Sequence, residues 1–229
     1  MLALNGFACG VLADGLAIDK VYHPYVDPLA WELEWRVTHA DYNPASDIDR
    51  EEVHRFGLAK AVAPELMLEG YLIAERSANQ DLKIEGYELE ALWQLTEQGE
   101  KSLDYGLLFE LEKERGQNAW EGAASLLLER ELGRYSVTAN IELGYEWGED
   151  IRDEWETGLA LQARYRYRMI LEPMLEFYLG EDTVGLGPAA QGNIRLGGMK
   201  SLHWQTAVVV GVDGTTPDYT LRGLLEYEF

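Results

Sequence analysis

The side chains with most chemistry to offer are charged residues that recur at every second position. Arg164-Tyr-Arg-Tyr-Arg168 sets three guanidiniums on one side of an extended chain, about 7 Å apart. A short turn after them would bring Glu172 opposite Arg168 and Glu176 opposite Arg164. Glu142 and Glu146 occupy the same side of the preceding alternating segment, and Arg222 that of the last one. Facing rows of arginine and carboxylate orient a polar solute in a water-filled passage, or satisfy one another in a filled one. Both readings stand on these residues, which are the candidate lumen and selectivity set.

Other constellations are poorer. His39 and His54 fall near Asp41, Asp47, Asp49, Glu51 and Glu52, a grouping with neither calcium-loop nor zinc spacing. Ser201 and His203 share a face, but no orienting acid or oxyanion hole accompanies them. Gly180 to Gly192 is glycine-rich without a following helix or Lys-Ser/Thr, so it is no phosphate cradle. It is expected to be an outer loop. No catalytic residue, metal ligand or cofactor is expected, and the chain is not expected to be an enzyme.

The elements that must position these charges are strands. Trp31, Leu33, Trp35 and Val37 alternate with Glu32, Glu34, Arg36 and Thr38. The period-two pattern returns around Tyr87 to Leu95, Tyr105 to Glu112, Tyr135 to Glu146, Trp155 to Arg168, His203 to Val212 and Tyr219 to Phe229. It gives each strand one apolar and one mostly polar face. Weaker candidates at 52–62, 66–76, 120–131, 171–179 and 191–199 bring the total to about twelve; 126–132 reads equally as helix. Connections run long then short along the chain, with 96–102 as the exception. That rhythm, an even strand number and a terminal aromatic, Phe229, predict an all-β antiparallel transmembrane barrel with both ends on the periplasmic side.

If apolar faces meet lipid, Trp31, Tyr135, Tyr167, Trp204, Tyr227 and Phe229 gather at the inner interface. Trp120, Tyr145, Trp155 and Tyr219 gather at the outer one, and the two sets form aromatic girdles. Polar faces such as that of Ala160 then meet water. The chain has 19 basic and 41 acidic residues, a net charge of −22. That excludes nucleic acid as a partner, because phosphates need Lys and Arg, and it excludes attachment to anionic lipid through a basic patch. No apolar run of about 18 residues supplies a spanning helix. One cysteine, Cys9, excludes an internal disulfide. Residues 1–13 read as a signal-peptide remnant cut after Ala13, and 14–229 as one barrel.

The stretch from Gly185-Leu-Gly to Asp218-Tyr-Thr-Leu-Arg-Gly-Leu-Leu-Glu-Tyr-Glu-Phe229 resembles small proteobacterial outer-membrane barrels. These are transporters of the phenol-degradation meta-pathway type, with copper-resistance outer-membrane proteins as distant relatives. The shared features are a glycine-bearing outer loop, a Pro-Asp before the last strand and an aromatic end. The resemblance implies passage of small molecules across the Gram-negative outer membrane, and insertion by the barrel-assembly machinery through the C-terminal strand. Five Met and four His argue against copper handling. The expected role is porin-like passage of a small solute through an acidic lumen. The alternatives are a structural barrel that anchors or sheathes a periplasmic partner, and an outer-membrane hydrolase or acyltransferase.

Overall fold

The computed structural model describes residues 18–28, 31–42, 50–77, 81–198 and 200–229. The expected signal-peptide stretch 1–13 lies outside them. Twelve strands follow one another: β1 Trp31–Asp41, β2 Arg50–Ala63, β3 Leu66–Ser77, β4 Lys83–Gln94, β5 Asp104–Glu114 and β6 Ala119–Leu132. Then come β7 Tyr135–Gly148, β8 Glu154–Tyr165, β9 Glu172–Leu179, β10 Val184–Gly197, β11 Lys200–Gly211 and β12 Tyr219–Glu228. Each pairs antiparallel with its neighbours in the chain, and β1 closes on β12 from Glu32↔Glu228 to Asp41↔Tyr219. The sheet is a closed barrel with no free edge, as a lipid-facing sheet requires. Phe229 extends the seam: it and Trp31 exchange both backbone hydrogen bonds, at 2.9 and 3.2 Å.

We call the end holding the start of β1 and the finish of β12 proximal, and the other distal. Alternation fixes what each face carries. Leu33, Leu89, Ile141, Leu175 and Val210 are exposed on the outside, while Glu34, Arg36, Glu90, Gln162 and Arg222 are buried inside. A band of outward aliphatics on every wall is too large to face water in a soluble monomer. Trp31, Tyr135, Tyr167, Trp204, Tyr227 and Phe229 stand at the proximal end, and Trp120, Tyr145, Trp155 and Tyr219 at the distal end. Distal rings form a chain, Trp120 stacked on Trp147, Trp147 stacked on Tyr145, and Trp155 tilted against Tyr145.

One local ambiguity is resolved and one local expectation changes. Residues 126–132 are strand, paired through Leu132↔Tyr135 into a two-residue turn that Gly133 opens with a φ of 68°; L residues with a side chain resist that conformation. The expected outer loop 180–192 shrinks to 180–183, because β10 starts at Val184. Pro188 therefore lies within a strand. It is tolerated because the β10–β11 pairing skips Gly187 and Pro188, so no ladder donor is missed.

Candidate functional site: the barrel interior

Residues 18–28 occupy the lumen, which sequence reasoning had left to water and charge. The segment has no regular structure, so its backbone groups need partners from the wall. Asn140 supplies two: its Oδ1 accepts from Tyr22 N–H at 2.8 Å, and its Nδ2 donates to Tyr22 C=O at 2.9 Å. Gln94 Oε1 accepts from Val26 N–H at 2.7 Å. Apolar side chains seat the segment on two opposite walls. Val26 packs with Ala61, Leu92, Leu108 and Leu127 near the proximal end. Ile18 and Val21 pack with Ala160, Met174, Tyr178, Ala189, Ala207 and Val209 farther along. The segment thus crosses the lumen obliquely.

Charges lock it. Asp19 Oδ2 lies 3.0 Å from Arg36 Nη1 and 3.4 Å from Arg55 Nη1. Arg222 donates to the Asp19 carbonyl, and Tyr178 Oη sits 2.5 Å from the same oxygen. Burial opposes ionisation of Asp19, but Arg36, Arg55 and Arg222 outweigh it and hold its carboxyl at about 2. Burial likewise works against the Lys20 ammonium, yet Glu34 and Glu69 push it above its ordinary value. Lys20 Nζ reaches Glu34 Oε2 at 2.6 Å. Farther down, Tyr22 O–H donates to Glu90, His23 Nδ1 lies 2.5 Å from Glu129 Oε2, and Tyr25 O–H donates to Asp104 at 2.9 Å.

The expected arginine–carboxylate pairing is corrected. The tight turn at Met169 and Ile170 is present, closed by Arg168↔Leu171. Between that bridge and the β8–β9 ladder the pairing slips by one residue, so Arg164 faces Met174 and Gln162 faces Glu176. Glu176 goes instead to Arg222, whose Nη2 holds both its oxygens at 2.8 and 3.0 Å. Arg164 reaches Glu129 at 3.2 Å, Glu172 at 3.5 Å and Ser136 Oγ at 3.0 Å. Arg166 pairs with Glu131, and Arg168 lies over the Tyr167 ring at 5.1 Å. β8 ends at Tyr165, so only Arg164 belongs to the strand. The three guanidiniums do not stack as one ladder. They meet around a proximal cavity of about 440 Å³, with Glu172, Gln191, Asn193 and His203.

The other inward carboxylates lie mostly opposite one another. Cross-strand pairs include Glu69↔Glu90, Glu88↔Glu112, Glu90↔Glu110, Glu112↔Glu121 and Glu121↔Glu146. Like charges so placed repel; they need a counter-cation or a shared proton. Oxygens of Glu88, Glu90 and Glu110 come within 4.8 Å of one another, a spacing able to hold a cation. Glu142 accepts from Ser125 O–H at 2.9 Å. β3 to β7 thus build an acidic wall, and Arg55 of β2 lies against it, 3.5 Å from Glu88.

Among the described residues, the remaining clusters are ion-pair and hydrogen-bond networks. Glu52 gathers His54 at 2.8 Å, His39 at 3.8 Å and Arg76 at 2.6 Å, an ion-pair network at the distal end. Asp47 and Asp49 lie outside the described residues. Ser201 O–H donates to Glu228, while His203 Nε2 lies 3.1 Å from Gln205 Nε2, so the two are not joined as nucleophile and base. The signal that marked the seated segment was present but unread. Leu92, Leu108, Ala207 and Val209 fall on faces assigned to water, and apolar side chains there need something to cover them.

A closed twelve-stranded meander, apolar outside and charged within, is the architecture of porin-like outer-membrane barrels. No protein-family model matches the chain, and no curated protein matches its sequence. Solved structures do match its fold. An outer membrane channel from Pseudomonas putida F1 superposes with a TM-score of 0.58 at 13% identity, over 93% of this chain and 99% of that one. The KdgM porin in complex with disordered oligogalacturonate gives 0.55 at 10% identity, over 86% and 98%. At such identities the likeness defines the fold.

Proposed function

We propose that the protein lies in the outer membrane, passes a small solute, and is closed at rest by residues 18–28. The observation that carries this is a segment held across the lumen by ion pairs, side-chain amides and two small apolar seats, inside a barrel whose outer face is apolar. Contacts of that kind exchange for water without exposing a large apolar core. The likeness to a channel and a porin supports passage, and the resemblance of the last strands to meta-pathway transporters supports the same role. The excess of inward carboxylates over cations supports a preference for cations. The terminal strand ending in Phe229 is the natural contact for the assembly machinery, and outward aliphatics are the contact for lipid.

Planar-bilayer recordings test the reading. The full chain should conduct poorly, and a chain lacking residues 18–28 should conduct several-fold more, with a reversal potential favouring cations. Equal conductance would exclude these residues as the closure. A shortened chain that inserts and never conducts would leave the structural barrel, for which the filled lumen and the exposed proximal Tyr167, Met169 and Ile170 are the supporting observations.

A further inference from the structure

We infer that the proximal cavity is a binding site for a small organic oxyanion, a carboxylate or a phosphate on a compact body, which enters from the proximal side. The inference rests on the reading of the barrel as one that handles solutes and goes beyond it: the anion is held at the proximal mouth, apart from the cations that the acidic wall favours.

The lining carries three guanidiniums against one carboxylate, Glu172, in a chain of net charge −22. Their engagements differ. Arg164 is fixed by Ser136, Glu129 and Glu172, and Arg166 by Glu131. Arg168 has no carboxylate partner among the described residues; its contact is the face of Tyr167. A guanidinium offers five donors in a planar fork that fits a carboxylate or phosphate, and those of Arg168 are uncommitted. Asn193 adds a buried Oδ1 without a hydrogen-bond partner, an acceptor suited to an O–H or N–H on the ligand's body and not to the oxyanion itself. A volume of about 440 Å³ falls in the range of small-molecule sites.

The geometry is set before any ligand arrives. Arg168 and Leu171 exchange backbone hydrogen bonds at 2.8 and 3.1 Å, and Asn193 N–H donates to Met169 C=O at 2.7 Å. The turn can lie this close to β10 because position 192 is glycine; a Cβ there would sit 2.1 Å from the Ile170 carbonyl oxygen. A turn held on both sides keeps Arg168 near its binding position and lowers the ordering cost. The direction of entry follows from charge. On the distal side, residues 18–28 intervene and the glutamates of β3 to β7 repel an anion. From the proximal side the anion meets Arg166 and Arg168 first, with Tyr167 and Met169 at the lip for its apolar body.

Calorimetric titration of the detergent-solubilised full chain at low salt tests this with benzoate, phenyl phosphate and the neutral isostere benzamide. At least one anion should bind ten-fold or more tightly than benzamide, and the tighter of the two identifies carboxylate or phosphate. Arg168→Gln should weaken the anion at least five-fold without changing the melting temperature, since Arg168 is exposed, and Arg168→Lys should recover part of the loss. Benzamide binding equal to both anions, or an unchanged anion affinity in Arg168→Gln, would overturn the site. Conductance separates the two proposals. A conducting barrel that binds no anion refutes the site alone. Anion binding in a barrel that stays silent without residues 18–28 refutes passage alone.

Discussion

Asp19 is where the closure is decided at the scale of single residues. Its carboxylate meets Arg36 and Arg55, and its carbonyl meets Arg222 and Tyr178. Each arginine belongs to a different strand, so one residue ties three strands to the lumen segment, β1 and β2 through its side chain and β12 through its carbonyl. With its carboxyl held at about 2 against an ordinary 3.8, ionised Asp19 contributes about 2 kcal/mol to folding. Because the folded value is the depressed one, that contribution is complete above pH 4 and disappears as pH falls through about 2. Asp19→Asn should therefore melt several degrees below the parent at pH 7, and the gap should close toward pH 2. Melting curves in detergent across that range check it; a gap that persists undiminished at pH 2 would assign the loss to packing.

At the scale of elements, β8 shows how a strand's inward face is divided. The sequence assigns Ala160 to water and Leu161 to lipid. The structure keeps Leu161 outside but places Ala160 beside Ile18 and Val21, 2% exposed, in an apolar seat. Arginine at Leu161 should cost about 2–4 kcal/mol if it faces mid-bilayer. Arginine at Ala160 should no longer be the cheap control: it overfills a packed seat, at about 1–3 kcal/mol, and should also dislodge the segment. The expected outcome is lowered stability for both and raised conductance for Ala160→Arg alone. Bilayer recordings beside refolding titrations test this, and a silent Ala160→Arg barrel would separate the seat from the closure. The same strand explains the arginines. A one-residue slip at the Met169–Ile170 turn sends Arg164 to Glu129 and leaves Arg166 and Arg168 at the rim.

For the whole molecule, charge and orientation are linked. The acidic wall of β3 to β7 and the arginine-lined cavity at the proximal end make the interior electrically asymmetric, so the ions it admits depend on which end faces out. Two distal connections, 115–118 and 149–153, carry exposed Arg115 and Arg152, while Lys101 and Arg134 are exposed in proximal ones. With the proximal end in the periplasm, trypsin applied to intact cells should cut after Arg115 and Arg152 and spare Lys101 and Arg134. Mass spectrometry of the fragments reads the result. The opposite pattern would invert the barrel and place the cavity outside.

Strand count, the lipid-facing band and the two aromatic ends were legible in the chain because a period-two pattern is local: Trp31 to Thr38 or Tyr219 to Phe229 declares its faces without reference to any other strand. Closure at β1 and β12 followed from the same pattern and the alternating connections. The contents of the lumen could not be read in this way. Residues 18–28 have no periodicity, and their partners Asn140, Gln94, Arg222 and Glu129 are 68 to 203 positions away. Nor do facing charges declare their mates: Glu176 and Arg222 meet across the barrel interior, 46 positions apart. Alternation says which side chains point inward. Only closing the sheet decides which of them share the space inside it, because that depends on register and curvature summed around twelve strands.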